Sequence, residues 1–218
     1  MPIPSVSPPA DEALQRLLQH CHRRRYPSKA TIIKPGDAGD TLYYIVEGSC
    51  TVSMHNKETG EDIVLAYLNR GEFLGEIGVF MGSMVRDVTV RTREASQLAE
   101  IGYQRLHHLL TADLAEHAIA ILSSLGRQVS TRLLDTSRKV RSLALLDVSG
   151  RIAHALIELS KQPDAMTHPD GMQIRVTRQE LGRLVGCSRE MAGRVLKNLE
   201  EQGLVTVKGK TIVVLGAR

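Results

Sequence analysis

The segment Val176–Leu204, VTRQELGRLVGCSREMAGRVLKNLEEQGL, predicts two helices joined by a tight turn. Thr177 is suited to cap the first helix, and Glu180 three residues later completes a capping box. Gly186 ends that helix, because glycine adopts the left-handed backbone of a sharp turn at little cost. Ser188 is suited to cap the second helix. The segment therefore predicts a helix-turn-helix unit.

The second predicted helix, Ser188–Glu201, has one apolar face and one charged face. Met191, Val195 and Leu199 recur at four-residue spacing and are predicted to face inward. The charged residues left on the outer face are Arg189, Glu190, Arg194 and Lys197.

A hairpin is predicted to follow over Val205–Val214, with Lys208 and Lys210 beside its turn at Gly209. A short helix, a turn and a longer helix with arginines near its start fit the major groove of DNA. We therefore predict sequence-specific binding of double-stranded DNA. The competing interpretation is an ordinary helical hairpin whose basic face is solvated.

Positive charge is concentrated in the last third of the chain. The 218 residues carry a formal net charge of +4. Asp147–Arg218 holds eleven Lys/Arg against eight Asp/Glu, and the preceding residues hold seventeen against sixteen. The basic excess lies in the segment with the predicted helix-turn-helix, as contact with phosphates would favour.

Cysteine usage and hydropathy indicate a cytoplasmic protein. Cys21, Cys50 and Cys187 are far apart, so neither a zinc module nor an iron–sulfur cluster is predicted. No apolar run approaches the length of about 18 residues that a membrane span needs. Met1–Ala10 lacks the core of a signal peptide, so we expect neither export nor a membrane segment.

Residues 1–114 are predicted to form a β-roll of the jelly-roll kind. Short runs of β-forming residues alternate there with glycine-rich turns, which is typical of an antiparallel barrel or jelly roll. The predicted strands are Thr31–Ile33, Thr41–Val46, Cys50–Met54, Ile63–Leu68 and Val88–Arg93. The fold class is therefore α+β.

Residues 115–146 are predicted to form one long helix. Its a/d seam, at spacings of three and four, consists of Ile119, Leu122, Gly126, Val129, Leu133, Thr136, Val140 and Leu143. We interpret the seam as a coiled coil between two copies of the chain. The alternative is a helix packed on its own domain, with Ile121 and Leu125 widening the stripe. A dimer suits DNA binding, because two recognition helices roughly 34 Å apart read a palindrome.

Residues 147–218 are predicted to form the DNA-binding domain. Asp147–Gly150 is interpreted as a hinge, in which Asp147 or Ser149 caps a helix over Arg151–Ser160. Lys161–Gln173 is interpreted as a polar surface loop, since it contains two prolines.

The β-roll contains a segment with the chemistry of an anion site, Gly71–Arg91. Gly75, Gly78 and Gly82 allow close approach of backbone amides to an anion, Glu76 can accept from ribose hydroxyls, and Arg86 can clamp a phosphate. The alternative is that the glycines make turns and that Glu76 pairs with Arg86. The polar pair Thr136 and Ser137 on the predicted seam favours a ligand that reaches the dimer interface.

The chain resembles the bacterial catabolite activator (cyclic-AMP receptor protein) family over nearly its whole length. The similar motifs are YPSKATIIKPG, TLYYIVEGS, YLNRGEFLGEIGVF, LDVSGRIAHAL, KQPDAMTHPDGMQIRVTRQELGRLVGCSRE and GKTIVV. The resemblance implies a cyclic-nucleotide-binding β-roll, a dimerising helix and a winged helix-turn-helix. It also implies transcriptional activation, with some repression, by a homodimer that is not an enzyme. That homodimer would contact RNA polymerase and bind palindromes with TGTGA-type half-sites.

Site residues carry over by position. Those that match the cyclic-AMP site are Gly75, Glu76, Arg86, Thr136 and Ser137, with Arg132 in support; we add Leu65, Ile77, Gly78 and Asp87. Those that match base-reading or phosphate-contacting residues are Arg189, Glu190, Arg194 and Arg178; we add Ser188, Lys197, Lys208 and Lys210. The polymerase-contacting surfaces are implied at Ala165, Thr167, His168 and Gly171, and at His22, Arg24 and Arg105.

One departure from the family concerns the phosphate-binding pair, which is usually Arg-Ser and here is Arg86-Asp87. An aspartate replaces a donor with a negative charge, so cyclic AMP should bind more weakly if Asp87 points inward. Alternatively, Asp87 pairs with Arg86 and occupies the site. RDVTVRTR, RLLDTSRK and CSREMAGRVLK resemble the Clp-like branch of the family, which is associated with DNA binding without nucleotide and release by cyclic di-GMP. Both effectors, and a ligand-independent regulator, therefore stay open.

Other classes of protein are less well supported. His20 and His22 have the HxH spacing of a cupin metalloenzyme, but residues Tyr26–Ile101 supply only His55 as a further histidine. A redox or gas sensor would need a cysteine cluster or haem ligands, and neither is found. We therefore predict no bound metal.

Overall fold

The structure is a computed structural model that describes residues 9–56, 62–82 and 84–217. The chain divides into two compact units. The first comprises Met1–Met54 and Ala66–Asp135, and the second comprises His55–Leu65 and Thr136–Arg218. The division falls inside the long helix.

The first unit is built on antiparallel strands. Its helices are α1 (Pro9–Gln19), α2 (Glu76–Met81), α3 (Tyr103–Thr111) and a 3-10 turn (Ala115–His117). The strands are β1 (His22–Tyr26), β2 (Thr31–Ile33), β3 (Ala38–Gly39), β4 (Thr41–Glu47), β5 (Ser49–His55), β6 (Asp62–Asn69), β7 (Phe73–Leu74), β8 (Met84–Val85), β9 (Thr89–Thr92) and β10 (Ser96–Gly102). The end of β5 and the start of β6 fall in the segment His55–Leu65, which the division assigns to the second unit. All five predicted strand runs are present, with bounds that differ by one residue at most.

Two four-stranded sheets form the β-roll, in the orders β1-β10-β4-β7 and β2-β9-β5-β6. A core cluster between them takes residues from both sheets, including Ile45, Leu74 and Leu98 from the first and Cys50 and Val90 from the second. The jelly-roll architecture therefore follows from the alternation of buried and exposed residues in short strands. Strand β1 lies at the edge of its sheet, and four of its five residues are exposed.

The long helix α4 spans Ala118–Leu145 and carries two different stripes. Ile121 and Leu125 are 3% and 0% exposed and belong to a core cluster of the β-roll unit. The predicted seam is a separate stripe. Of its apolar members, Ile119, Leu133, Val140 and Leu143 are between 55% and 81% exposed, Leu122 is 37% exposed, and Val129 is half-buried. The first stripe is therefore used to pack the helix on its own domain, and the seam stays exposed for contact with another molecule.

No single helix in the described ranges is long and apolar enough to cross a membrane. Only the bent pair Tyr103–Thr111 and Ala115–Leu145, with 98° between its two segments, has the necessary length and composition within those ranges. Leu106, Leu109, Ile121 and Leu125 of this pair are buried in the core of the β-roll unit.

The second unit contains a winged helix-turn-helix. Its elements are α5 (Val148–Ser160), β11 (Met166–His168), β12 (Gly171–Arg175), α6 (Arg178–Val185), α7 (Arg189–Glu201), β13 (Val205–Lys208) and β14 (Thr211–Leu215). The strands form one sheet in the order β11-β12-β14-β13. Ile152, Leu156, Leu181, Leu196 and Ile212 are almost fully buried and join the three helices to that sheet.

Two predictions for this unit were wrong. Asp147 caps the helix as predicted, since its Oδ1 accepts from Gly150 N at 2.8 Å, but α5 begins at Val148 and not at Arg151, so most of the segment interpreted as a hinge is helical. The supposed loop Lys161–Gln173 contains a hairpin, in which Met166 pairs with Gln173. Strand β12 also pairs with β14, so the sheet supplies the partners that make this polar segment a strand.

Candidate ligand site and DNA-binding interface

The site in the β-roll begins at the turn between β7 and α2. Gly75 has φ 83° and stands at the N-terminus of α2, where the left-handed backbone favours glycine. A Cβ atom at Gly75 would lie 2.8 Å from both Arg86 Nη2 and the Thr41 carbonyl oxygen. The absence of a side chain therefore lets the Arg86 guanidinium lie directly over the turn.

Glu76 is a buried carboxylate, with 2% of its surface exposed. Its Oε1 atom accepts from Arg132 Nη1 at 2.6 Å. Its Oε2 atom is buried and has no hydrogen-bond partner. Because an unpaired buried acceptor is costly, this oxygen is available to a donor such as a ligand hydroxyl.

Arg132 links α4 to the same turn. Besides its ion pair with Glu76, its Nη2 donates to the Phe73 carbonyl oxygen at 2.6 Å and lies 3.8 Å from a carboxylate oxygen of Glu72. Arg132 Nε is buried without a partner. The alternative pairing of Glu76 with Arg86 is thus not what the structure has.

Arg86 is held by neutral oxygen acceptors. Its Nη2 donates to the Thr41 carbonyl at 2.6 Å and to the Tyr103 hydroxyl at 3.1 Å. The Tyr103 hydroxyl in turn donates to the Gly75 carbonyl at 2.6 Å. Burial raises the pKa of Tyr103, against the opposing effect of the nearby Arg86 charge, so its hydroxyl is neutral at physiological pH.

Asp87 does not pair with Arg86, which was one of the two arrangements predicted for it. Its side chain is exposed, and the hydrogen bonds of Arg86 go to Thr41 and Tyr103 rather than to Asp87. Arg86 instead uses the neutral acceptors described above. The negative charge of Asp87 is therefore beside the site in sequence, and its effect on a bound phosphate stays a prediction.

The predicted ligand residues fall into two groups. Gly75, Glu76, Gly78, Arg86 and Arg132 are brought together within the first unit. Gly78 is buried against Tyr103, because a Cβ atom there would lie 2.4 Å from the phenol oxygen.

The remaining predicted ligand residues are more exposed. Ile77 and Leu65 are 53% and 40% exposed. Thr136 and Ser137 are exposed on α4, about one helical turn after Arg132. Leu65, Thr136 and Ser137 belong to the second unit.

Tyr103 is the residue that sequence reasoning missed. It is the first residue of α3 and lies 28 positions from Gly75 and 17 from Arg86. No sequence pattern predicts that a tyrosine directly after a strand makes such contacts. The contacts follow from the antiparallel pairing of β10 with β4, which places Gly102 opposite Thr41.

The helix-turn-helix is closed by the predicted caps. Thr177 Oγ1 accepts from Glu180 N and Ser188 Oγ accepts from Met191 N, each at 3.1 Å. Gly186 has φ 70° and ends α6. A Cβ atom at Gly182 would lie 2.5 Å from the Cys187 carbonyl oxygen, so α6 packs tightly against the turn.

The outer face of α7 forms one side of a groove. The groove is lined by Arg178, Arg189, Glu190, Gly193, Arg194, Leu196, Lys197, Glu200 and Val207. The side chains of Arg189, Glu190, Arg194 and Lys197 are exposed, as predicted. Arg178 lies against Gly193, where a Cβ atom would be 3.4 Å from Arg178 Cδ. The absence of a side chain at Gly193 therefore lets Arg178 lie beside the cations of α7.

The wing is tied to α7 and to the segment that precedes α6. Val207 N donates to Glu200 Oε1 at 2.8 Å, which fixes β13 to α7. Val176 N donates to the Lys210 carbonyl at 2.9 Å, which fixes the wing turn to the start of the helix-turn-helix. The side chains of Lys208 and Lys210 are exposed at that turn.

The predicted polymerase-contacting residues occupy two surfaces. Ala165, Thr167, His168 and Gly171 lie on or beside the β11–β12 hairpin of the second unit. His22 and Arg24 are exposed on β1, and Arg105 is exposed on α3, both in the first unit.

The cupin alternative needs a cluster of metal ligands. Within residues 9–56, 62–82 and 84–217, no three His, Cys, Asp or Glu side chains come together as such a group. The residues named for the β-roll site are instead suited to an organic anion with hydroxyl groups, through Arg86 and the free oxygen of Glu76.

Comparison with known proteins covers both units. A family profile described as the cyclic nucleotide-binding domain matches residues 23–113, and one described as the Crp-like helix-turn-helix domain matches residues 150–217. The chain is 52% identical over 208 residues to the cAMP-activated global transcriptional regulator Vfr of Pseudomonas aeruginosa, covering 94% of each chain.

A second relative is similar in sequence and in structure. The chain is 51% identical over 205 residues to the CRP-like protein Clp of Xanthomonas campestris, covering 94% of this chain and 89% of Clp. A solved structure of the c-di-GMP-responsive global regulator CLP from Xanthomonas campestris matches with a TM-score of 0.88 at 50% identity. That match covers 94% of this chain and 99% of that one.

Proposed function

Because this chain belongs to the CRP family of transcription regulators, we propose that it works as a homodimer that reads palindromic DNA under control of a cyclic nucleotide. The observation that carries the proposal is the capped helix α7, which presents Arg189, Glu190 and Arg194 to solvent beside a basic wing. We place its action in the cytoplasm, together with RNA polymerase.

The base contacts are assigned to α7. Arg189 and Arg194 would each donate to the O6 and N7 atoms of a guanine, and Glu190 would accept from a cytosine amine. The residues that would hold phosphates are Arg178, Lys197, Lys208 and Lys210. Ser188 is engaged as the helix cap, so its side chain would orient α7 rather than read a base.

The ligand is assigned to the β-roll. Glu76 Oε2 would accept from a ribose hydroxyl, which satisfies an oxygen that otherwise has no partner. Arg86 would donate to the cyclic phosphate, and the turn at Gly75 leaves space for that approach. Thr136 and Ser137 would extend the site along α4, and Leu65 and Ile77 would supply apolar contact.

The relatives suggest two candidate effectors. Vfr is described as activated by cAMP, and CLP as responsive to c-di-GMP. Arg86 suits either ligand because both carry phosphates. Asp87 favours weak binding of cyclic AMP, since a carboxylate repels phosphate at short range.

The dimer is assigned to the exposed seam of α4. Ile119, Val140 and Leu143 expose apolar surface at coiled-coil spacing, which a second copy would bury. A ligand near Thr136 would favour one arrangement of the two helices at that seam over another. To change the spacing of two recognition helices, it must bind one arrangement better by a few kcal/mol.

The polymerase contacts are assigned to two exposed surfaces. One is the β11–β12 hairpin with Thr167 and His168, and the other is the basic patch of His22, Arg24 and Arg105. The first lies in the unit that holds α7, so DNA binding would bring it to a promoter.

Fluorescence anisotropy with a palindromic operator of TGTGA-type half-sites tests this function. The protein is titrated alone, with cyclic AMP and with cyclic di-GMP. Tight binding only with cyclic AMP would indicate a nucleotide-activated regulator. Tight binding that cyclic di-GMP abolishes would place the chain with Clp. Equal affinity for the operator and for a scrambled duplex under all conditions would contradict the proposal.

A further inference from the structure

We propose that Tyr103 is a positioning residue of the ligand site, which holds Arg86 in a ligand-free arrangement and must release it before a phosphate is gripped through two bonds. The inference rests on the proposed binding of a cyclic nucleotide in the β-roll. It adds a residue and a competing contact to that site.

The argument begins with the donors of a guanidinium. A planar guanidinium has five N–H donors and grips an anion through two parallel bonds, either from Nη1 with Nη2 or from Nε with Nη2. Both arrangements use Nη2. In Arg86 the two protons of Nη2 are directed to the Thr41 carbonyl and the Tyr103 hydroxyl. A phosphate can therefore be gripped through two bonds only after one of these acceptors is released.

The acceptor that yields is Tyr103. The Thr41 oxygen belongs to the backbone of β4, which is fixed opposite Gly102 in the sheet, and its bond to Arg86 is 2.6 Å. The bond to the Tyr103 hydroxyl is 3.1 Å, and that hydroxyl is at the end of a side chain. Tyr103 therefore competes with the ligand for Arg86, and the competition weakens phosphate binding.

The surroundings of Tyr103 allow the competing contact to be removed by itself. Its ring lies against Gly78, where a Cβ atom would come within 2.6 Å of ring carbon Cε2, and phenylalanine retains that ring. The Gly75 carbonyl that accepts from the hydroxyl also accepts from Gly78 N at 3.1 Å. Tyr103→Phe therefore removes the acceptor on Arg86, while the Gly75 carbonyl, which loses the hydroxyl, keeps its bond from Gly78 N.

The test compares a charged ligand with a neutral one. Affinities of cyclic AMP and adenosine are measured by displacement of a fluorescent cyclic nucleotide from the wild type and from Tyr103→Phe. We expect cyclic AMP to bind about three- to tenfold more tightly to the variant, since one hydrogen bond of ordinary net strength no longer competes with the phosphate for Arg86. Adenosine affinity should not change, because adenosine has no phosphate for Arg86.

Tyr26→Phe is the matched control, since the Tyr26 hydroxyl donates to Glu100 and not to Arg86. A general structural effect of Tyr103→Phe would change both ligands by the same factor and would overturn the inference. Weaker binding of cyclic AMP would also overturn it, because the hydroxyl would then contact the ligand.

A second measurement follows Tyr103 itself. The chain has five tyrosines, so 3-fluorotyrosine labelling gives a simple 19F spectrum in which Tyr103→Phe identifies one resonance. That resonance should shift when cyclic AMP saturates the wild type, and an unchanged resonance would contradict the release of Arg86. Failure of the wild type to bind cyclic AMP or cyclic di-GMP would instead overturn the proposed function, and the inference with it.

Discussion

The side-chain amide of Gln128 pairs with both backbone groups of Phe73. Gln128 Oε1 accepts from Phe73 N at 2.7 Å, and Gln128 Nε2 donates to the Phe73 carbonyl at 2.8 Å. Strand β7 is the last strand of its sheet, so the amide takes the place of a neighbouring strand. Helix α4 is thereby joined to the strand that leads into Gly75 and Glu76.

Gln128→Leu should lower the free energy of unfolding by about 1–3 kcal/mol, because Phe73 N loses its partner inside the protein. The Phe73 carbonyl still accepts from Arg132. The measurement is urea unfolding at a fixed protein concentration. Gln104→Leu, at an exposed position of α3, is the matched control and should change stability by less than about 0.5 kcal/mol. Equal effects of the two variants would contradict the structural role of the amide.

Asp87→Ser should strengthen binding of cyclic AMP several-fold. The variant removes a negative charge next to Arg86 and restores the residue usual in the family. Calorimetric titration measures the affinity, and it should be repeated at high salt, where the gain should shrink. Asp113→Ser removes an exposed charge elsewhere in the same unit and should have no effect. Unchanged affinity in Asp87→Ser would mean that Asp87 points away from the phosphate.

Arg189→Ala should weaken operator binding by about 1–3 kcal/mol and relax the preference at one base pair. Lys197→Ala is the comparison, because Lys197 lies on the same helix and is assigned to a phosphate. It should weaken binding to all duplexes equally and lower the salt slope by about 1. Anisotropy against a set of single-base operator variants separates the two results. Uniform losses from Arg189→Ala would show that Arg189 contacts only the backbone.

Val140→Glu should weaken dimerisation, because it places a charge on the exposed apolar seam of α4. Sedimentation equilibrium over a range of concentrations measures the change. Thr131→Glu adds the same charge at an exposed position off the seam and should leave the oligomeric state unaltered. A dimer of unchanged affinity in Val140→Glu would place the interface on another surface.

Alkaline pH should destabilise the β-roll through Cys50. This thiol is fully buried between the sheets, and burial raises its pKa from 9.0 to about 12. The folded state therefore retains a proton that the unfolded chain loses, so the stabilisation is complete below pH 9 and is lost as pH rises toward 12. In Cys50→Val, unfolding free energy should fall less steeply above pH 9, by up to about 1.4 kcal/mol per pH unit. Parallel pH profiles for the two proteins would contradict this.

The helix-turn-helix could be predicted from the sequence because its determinants are local. Thr177 and Ser188 bond to amides three residues away, and Gly186 acts through its own backbone. Five strands of the β-roll (β2, β4, β5, β6 and β9) were predictable for the same reason, since alternating apolar residues and glycine turns are read within a few positions. Strands β1, β3, β7, β8 and β10 were not predicted.

The contacts of the ligand site could be predicted only in part. Glu76 and Arg86 could be named from residue type and family position, but their partners could not. Arg132 is 56 positions from Glu76, and Gln128 is 55 from Phe73, so their contacts depend on how α4 packs on the sheet. The β11–β12 hairpin was missed for a related reason, because its strand character comes from pairing with β14.

Strand β1 has a consequence for aggregation. It is the edge of a sheet, where unpaired backbone groups can recruit a strand from another molecule. Arg23, Arg24 and Arg25 are exposed along this edge, so two copies that approached it would bring like charges together. The cations thus restrict self-association to other surfaces. A substitution of Arg24 would then have two effects, because it would remove the proposed contact with polymerase and would also weaken the protection of the edge.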